Sequence, residues 1–232
     1  MDALTNILNR VSARELAKPF PSSDEMKLIY QAALRAPDHA WLRPSSFIEV
    51  KDEGLDKLSK IFHEYALGLD DLSEEIINKY KGAPYRAPMI IILVSTFKEH
   101  PKVPEIEQII SLGAAAQNIL LGIHEIGFSA VWRTGQMAFN PEITRQLGLE
   151  ENFQIIGYLY VGTSMGKEKP LPEHDIADFI ESVPSNSDQL GPVIGNALDN
   201  VDDHETEFQS FDIDSSDVQR PETVVPSNSN VN

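Results

Sequence analysis

The sequence predicts a single α+β domain, and three observations support this fold class. Helical and strand patterns alternate through the first 184 of the 232 residues. Met89–Ser95 and Phe153–Gly162 are apolar enough to be buried strands. A long apolar helix follows Pro104, and Gly127 is placed to end it. The full pattern predicts about five helices and four strands.

Local signals place the other elements. Ser22 and Glu25 form a capping box before a helix over Met26–Ala36, and Pro37 ends this helix because proline cannot continue the hydrogen-bond ladder. The small residues Gly113–Ala116 let a second helix approach the long one closely. The remaining helices are expected over Met1–Ser12, Leu55–Ala66 and Ser73–Tyr80 and from Pro141, and the remaining strands over Ser46–Lys51 and Phe128–Thr134.

The net charge of −17 is concentrated at the C-terminal end. Residues 185–232 contain ten Asp and Glu residues against one Arg, a charge of −9, whereas the first 184 residues carry −8. Low hydrophobicity together with this charge predicts a disordered segment. We therefore expect a globular domain at 1–184 and an acidic tail at 185–232. The tail either solvates the protein or recruits a basic partner.

Composition excludes several classes of function. An acidic chain is a poor candidate for binding nucleic acid or an anionic membrane surface, because both depend on Lys and Arg. The absence of cysteine excludes disulfides, thiolate-bound metals and a thiol nucleophile. The six histidines lack metal-binding spacing, and no nucleotide-binding glycine motif follows a strand. We expect no metal, no catalytic protein nucleophile and, without a secretory signal, a cytoplasmic location.

Arginines lie beside hydroxyl groups and prolines at the ends of predicted elements. They occur in Arg10–Ser12, Arg35–His39, Arg43–Pro44 and Trp132–Thr134. Guanidinium and hydroxyl groups are good phosphate donors, so this pattern is compatible with an anion pocket. An arginine at a helix C-terminus also interacts favourably with the helix dipole. Spacing alone leaves both interpretations open.

A series of short motifs between Met1 and Thr163 points to a known family. The motifs are Met1-Asp2-Ala3-Leu4, Arg10-x-Ser12-Ala13, Arg35-Ala36-Pro37-Asp38-His39, Arg86-Ala87-Pro88, Lys102-Val103-Pro104 with Glu107-Gln108, Trp132-Arg133-Thr134-Gly135 and Gly157-Tyr158-Leu159-Tyr160-Val161-Gly162-Thr163. In their order and spacing, residues 1–183 resemble the FMN-dependent NAD(P)H nitroreductase family, in its compact YdjA-like branch. The tail after Pro184 matches nothing in that family.

The resemblance implies a three-layer fold with a central, mostly antiparallel sheet. It also implies a homodimer with two FMN sites at its interface, each built from both subunits. In that arrangement Arg10, Val11 and Ser12 would hold the phosphate and ribityl end of FMN, Arg35 and His39 would contact the flavin, and Trp132, Arg133 and Thr134 would complete the phosphate side. A further stretch, Gly122, Ile123, His124, Glu125, Ile126 and Gly127, would bind the nicotinamide, although it also fits the end of a core helix.

The resemblance further implies a flavoprotein oxidoreductase. Hydride would pass from NADH or NADPH through FMN to a small electron-poor acceptor such as a nitroaromatic or a quinone, in a ping-pong cycle. Two alternatives stay open at this point. One is another reductive activity, such as enone reduction or dehalogenation. The other is a flavin-fold binding module that recruits a partner through its acidic tail.

Three residues depart from the wider family pattern. That family often has Pro-Ser-x-x-Asn-x-Gln-Pro-Trp around the flavin ring. In this chain Trp41 stands in place of the Asn, Arg43 in place of the Gln and Ser45 in place of the Trp. We hypothesise that an indole and an additional cation near the ring change the choice of acceptor and raise the flavin potential.

Overall fold

The computed structural model describes residues 2–166, 170–171 and 173–180. The chain divides into one unit at Met1–Asp175 and a second at Ile176–Asn232. In the second unit only residues 176–180 are described, and they contain one 3-10 turn, Ile176–Asp178. The acidic tail expected at 185–232 lies outside the described residues. The domain boundary at residue 184 therefore stays a prediction.

Six α-helices and five strands make up the described part of the first unit. The helices are α1 (Ala3–Asn9), α2 (Ser23–Ala33), α3 (Glu53–Leu67), α4 (Glu74–Gly82), α5 (Glu105–Glu125) and α6 (Pro141–Gln146). The strands are β1 (Leu16–Ala17), β2 (Ser45–Lys51), β3 (Met89–Thr96), β4 (Ser129–Arg133) and β5 (Phe153–Ser164). Short 3-10 turns lie at His39–Trp41, Ala83–Arg86 and Gly135–Met137.

The five strands form one sheet in which every strand pairing is antiparallel. β5 is central: it pairs with β3 along one edge and with β4 along the other. β2 pairs with β3 at the outer side, and β1 pairs with Thr163 and Ser164 at the end of β5. The predicted central antiparallel sheet is confirmed.

Helices cover both faces of this sheet. On one face α2 and α5 pack together, and Met26, Ile29 and Ile119 join Ile91 and Leu159 in the core. On the other face α3 and α6 contact β2 and β5. There the rings of Phe62 and Tyr158 meet edge to face with centroids 5.6 Å apart. The three-layer α+β fold is thus confirmed, and burial on both faces explains why β3 is apolar at every position from Met89 to Val94.

Two local differences from the predicted elements have clear physical reasons. β1 is missed because two residues carry no periodicity, and its partners lie in β5, more than a hundred residues away. α2 begins at Ser23 because Ser22 and Glu25 do form the capping box, and it ends at Ala33, three residues before the predicted end. Both differences concern element ends or short edges and leave the architecture unchanged.

Candidate functional site

A cavity of about 360 Å³ lies where the end of α1, the end of α5 and the start of β4 meet. Its volume is in the range of small-molecule and cofactor sites. None of its described lining residues is acidic, although the chain as a whole carries −17. The lining consists of Asn9, Arg10, Val11, Ser12, Ala13, Arg14, Leu120, His124, Gly127, Phe128, Ser129, Ala130, Ser164 and Leu171.

The cationic wall of the cavity is the extended segment that follows α1. The helix ends where the backbone N–H of Arg10 donates to the carbonyl of Asn6 (3.1 Å) and the chain turns extended. Ser12 then forms a parallel bridge with Ala130, next to a hydrogen bond from the Ala13 N–H to the Ala130 carbonyl. Arg10, Ser12 and Arg14 all line the cavity. The segment therefore contributes two guanidinium groups and a hydroxyl to this wall.

The second wall is the C-terminal end of α5, which closes in a Schellman motif. Gly127 has a positive φ of 84°, and its N–H donates to the backbone carbonyl of His124, while the Phe128 N–H donates to the Ile123 carbonyl. Earlier in the helix, a Cβ at Gly122 would lie 3.2 Å from Ile29, so this glycine lets α5 pack closely on α2. The packing and the ending of α5 thus explain why glycine stands at both positions of the expected nicotinamide stretch. His124 and Gly127 also line the cavity, and the nicotinamide role stays a prediction.

Asn6 fixes the position of His124 in the cavity wall. Asn6 is buried, and its Nδ2 donates to the Leu121 carbonyl at 3.1 Å. Its Oδ1 lies 2.7 Å from the Nδ1 of His124, so the amide oxygen accepts a hydrogen bond from the imidazole N–H. One buried side chain therefore joins α1 to α5 and orients the imidazole.

The donors in this cavity fit the phosphate group of FMN. A phosphate monoester carries nearly two negative charges and binds best to guanidinium and hydroxyl groups. Arg10 and Arg14 supply the charge, and Ser12, Ser129 and Ser164 supply neutral donors. No carboxylate in the described lining opposes them. The structure therefore brings three of the predicted cofactor residues, Arg10, Val11 and Ser12, into one cavity, and their contact with FMN stays a prediction.

Arg35 and His39 lie elsewhere in the subunit, in the exposed segment after α2. The Arg35 N–H closes the last turn of α2 by donating to Ala32. His39 begins a 3-10 turn, and its Nδ1 lies 2.6 Å from the Glu107 carboxylate at the start of α5. Neither residue lines the cavity of its own subunit. Their predicted contact with the flavin stays a prediction, in keeping with a site built from two subunits.

Trp132, Arg133 and Thr134 lie at the far end of β4 from the cavity. The Arg133 guanidinium carbon is 5.7 Å from the centre of the Tyr160 ring. Burial lowers the pKa of Arg133, and the nearby charge of Arg86 lowers it further. Burial also raises the pKa of Tyr160 to about 12 despite these two cations. This cationic cluster does not line the cavity, and the phosphate role of the three residues stays a prediction.

The cavity also contains donors that the sequence analysis did not single out. Arg14 is two residues beyond Ser12, and its closeness in the sequence to Arg10 and Ser12 could have identified it. Ser129 and Ser164 come from β4 and β5, and no local signal connects them with Arg10. Among the described residues, no group of three His, Asp or Glu side chains could hold a metal ion.

One described helix, α5, is long and apolar enough by composition to cross a membrane. Leu112, Ala116, Ile119 and Ile123 of this helix are nevertheless buried in the core beside the sheet. Core helices of soluble proteins have the same length and composition. The placement agrees with the prediction that α5 is a core helix.

Comparison with known proteins places this arrangement among nitroreductases. The model of the family described as "Nitroreductase family" matches residues 7–163. YdjA of Escherichia coli (strain K12), named for a proposed NAD(P)H nitroreductase activity, is 37% identical over 165 residues, covering 70% of this chain and 88% of YdjA. The residues matched by the family model include the cavity segment Arg10–Arg14 and the whole of α5.

Solved structures show the same fold at low sequence identity. A nitroreductase-like family protein from Bacillus cereus superimposes with a TM-score of 0.67 at 22% identity, covering 79% of this chain and 96% of its own. The FMN and NADPH-dependent nitroreductase NfnB from Sphingopyxis sp. strain HMH gives a TM-score of 0.62 at 15% identity, covering 79% of this chain and 100% of its own. At these identities the likeness extends to the fold alone.

Proposed function

The chain belongs to the nitroreductase family of oxidoreductases, and on that basis we propose that it is an FMN enzyme transferring hydride from NADH or NADPH to electron-poor acceptors such as nitroaromatics or quinones. For a nitroaromatic, one NAD(P)H and one proton convert the nitro group to a nitroso group and water. The family and the names of its relatives support NAD(P)H-dependent oxidoreductase chemistry. The cofactor, the acceptor and the ping-pong order are our proposal.

The observation that carries this proposal is the set of hydrogen-bond donors that lines the cavity. Two arginines and three serines line it without an acidic neighbour in the described lining, in a strongly acidic chain. Such a wall favours a phosphate-bearing ligand and disfavours a cation. FMN has this charge, and a flavin cofactor explains why a reductase needs no metal or protein nucleophile.

The residues of this chain would bind and orient the cofactor while the flavin, when bound, supplies hydride transfer. Arg10, Ser12 and Arg14 would hold the phosphate. His124, oriented by Asn6, would place an imidazole beside the bound ligand. His39, hydrogen-bonded to Glu107, would offer a donor to the flavin of the partner subunit. In these roles the protein positions the cofactor and favours its anionic reduced form.

We also propose a homodimer, because two neighbouring helices expose apolar side chains. Leu4 and Leu8 of α1 are 69% and 70% exposed, and Ile106 and Ile110 of α5 are 59% and 63% exposed. α1 joins the C-terminal end of α5, through the bonds of Asn6 with Leu121 and His124, so the two exposed patches lie towards opposite ends of α5. Exposed apolar patches on neighbouring helices are typical of a subunit interface. A second copy of the chain covering both patches would bring Arg35 and His39 of one subunit towards the cavity of the other.

We expect Ile110→Asp to convert the dimer to a monomer, because it places a charge in an apolar interface. Analytical ultracentrifugation should then give a mass near 25.8 kDa in place of twice that value. FMN affinity should fall at least tenfold, since each site would lose one of its two subunits. Leu67→Asp is the matched control, because Leu67 is 60% exposed at the end of α3 in the other helical layer. A dimeric Ile110→Asp variant with unchanged FMN affinity would contradict the interface.

The proposed cofactor is tested by extracting it. The purified protein should be yellow and should release FMN, and no FAD, when denatured. A colourless preparation should take up added FMN at one equivalent per subunit. A colourless protein that binds no added FMN would overturn the proposed function.

A further inference from the structure

The loop after α2 holds three non-glycine residues in left-handed backbone conformations. Ala40 and Trp41 have φ of 56°, and Arg43 has φ of 53°. Such conformations are uncommon for residues with a side chain and cost free energy at each position. They persist where surrounding contacts fix the backbone, and they are concentrated at ligand sites.

Contacts from three other positions hold this loop in place. The Asp38 carboxylate accepts the backbone N–H of Arg43 at 2.9 Å. The Lys98 ammonium, just after β3, donates to the Leu42 carbonyl. Glu107 of α5 binds His39. The strained backbone is thus fastened to the end of β3 and the start of α5.

The fastened loop presents an aromatic ring and a cation outward. Trp41 is 77% exposed, the largest exposure among the large hydrophobic residues described. The Arg43 guanidinium carbon lies 4.9 Å from the centre of its indole ring. The Arg43 side chain is 52% exposed, whereas that of its acidic neighbour Asp38 is only 11% exposed. The outward charge of the loop is therefore positive.

We propose that Trp41 and Arg43 select planar aromatic acceptors that carry an acidic group, a proposal that rests on the proposed function. The acceptor ring would stack on the indole, and its carboxylate would pair with the open edge of the guanidinium. A stacked guanidinium keeps N–H donors free around its perimeter, so both contacts can form at once. The neighbouring His39, with its predicted flavin contact, would place such an acceptor beside the cofactor.

The chemistry of the loop explains this choice of ligand over a neutral one. Electron-poor rings stack favourably on the electron-rich indole. The acid groups nearby are already engaged, Asp38 with Arg43 and Glu107 with His39, so they oppose an incoming carboxylate weakly.

The test compares 4-nitrobenzoate with 4-nitrobenzamide, its neutral analogue of similar shape, as acceptors for the FMN-loaded enzyme. We expect wild type to show the lower KM for the acid. Arg43→Gln should raise the KM for 4-nitrobenzoate about two- to fivefold, as expected for an ion pair of a half-exposed guanidinium that solvent screens, and so shift the ratio of the two KM values. Trp41→Ser should raise both KM values. Arg145→Gln, which removes an exposed arginine on α6, is the matched control.

A binding measurement without NAD(P)H separates this inference from the proposed function. Titration of the oxidised holoenzyme with 4-nitrobenzoate should quench tryptophan fluorescence in wild type, and Trp41→Ser should abolish that quenching although Trp132 remains. Equal KM values for the acid and the amide in wild type, or an unchanged ratio in Arg43→Gln, would overturn the inference. Failure to reduce both of these compounds and a quinone would overturn the proposed function, and the fluorescence titration would then still decide the inference.

Discussion

Replacing Arg10 with alanine is expected to weaken FMN binding about thirtyfold. Arg10 is half-buried at the end of α1 and lines the cavity beside Ser12 and Arg14, where no described lining residue is acidic. Loss of one charge-assisted hydrogen bond to a phosphate costs about 2 kcal/mol, which corresponds to roughly thirtyfold in the dissociation constant. The measurement is titration of the FMN-free protein with FMN, followed by flavin fluorescence. Affinity should fall further in the Arg10→Ala/Arg14→Ala double variant.

Arg145→Ala is the control for this prediction, because it removes an arginine that is 73% exposed and pairs only with Glu142 in the described contacts. It should leave FMN affinity unchanged. Wild-type dimerisation and circular dichroism spectra in the Arg10 variants would show that the fold is intact. A dissociation constant unchanged in both Arg10→Ala and the double variant would mean that the phosphate binds elsewhere. The Arg133 and Arg86 cluster at the end of β4 would then be the next candidate.

Gly157→Ala is expected to lower the free energy of unfolding by about 3 kcal/mol, because overpacking and backbone strain act at the same position. Gly157 lies in the middle of β5 with φ of 153°. A Cβ there would lie 2.0 Å from Nε1 of Trp132 and 3.1 Å from the Arg133 carbonyl. The indole of Trp132, a residue predicted to contact the cofactor, must therefore move. Urea denaturation at fixed protein concentration measures the change.

The matched control for Gly157 is Gly82→Ala. Gly82 ends α4 with ordinary helical angles, and no atom lies within 4 Å of an added Cβ. Because alanine also restricts the unfolded chain, this control should be neutral or slightly stabilising. A Gly157→Ala protein within about 0.5 kcal/mol of wild type would show that the sheet accommodates the methyl group. The close packing of Trp132 on β5 would then not be a constraint on the fold.

The fold could be predicted from the sequence where each element carries its own signal. β3 and the greater part of β5 are continuous apolar runs, and α5 has both a start at Pro104 and a stop at Gly127. The same local reasoning fails for β1, whose two residues become a strand only through β5. Element type is therefore local information here, whereas the edge of the sheet depends on tertiary contacts.

The candidate site was only partly predictable for the same reason. Their residue types identified Arg10 and Ser12 as hydrogen-bond donors to an anion, and the family resemblance indicated which cofactor they would bind. The cavity itself exists because Ser12 bridges to Ala130 and Asn6 joins α1 to the end of α5, contacts that span more than a hundred residues. The outward pairing of Trp41 with Arg43 depends on left-handed backbone angles. The segment His39–Arg43 contains no glycine, so its sequence gives no signal for these angles.

The proposed function is tested most directly by anaerobic reduction of the FMN-loaded protein. Addition of NADH or NADPH in the absence of oxygen should abolish the visible absorbance of oxidised flavin. Subsequent addition of a nitroaromatic or a quinone should restore it, in the two separate half-reactions of a ping-pong cycle. As a control, a chemical reductant should reduce free FMN in the same solution. If the bound flavin nevertheless stays oxidised with both NADH and NADPH, the protein is not an NAD(P)H oxidoreductase.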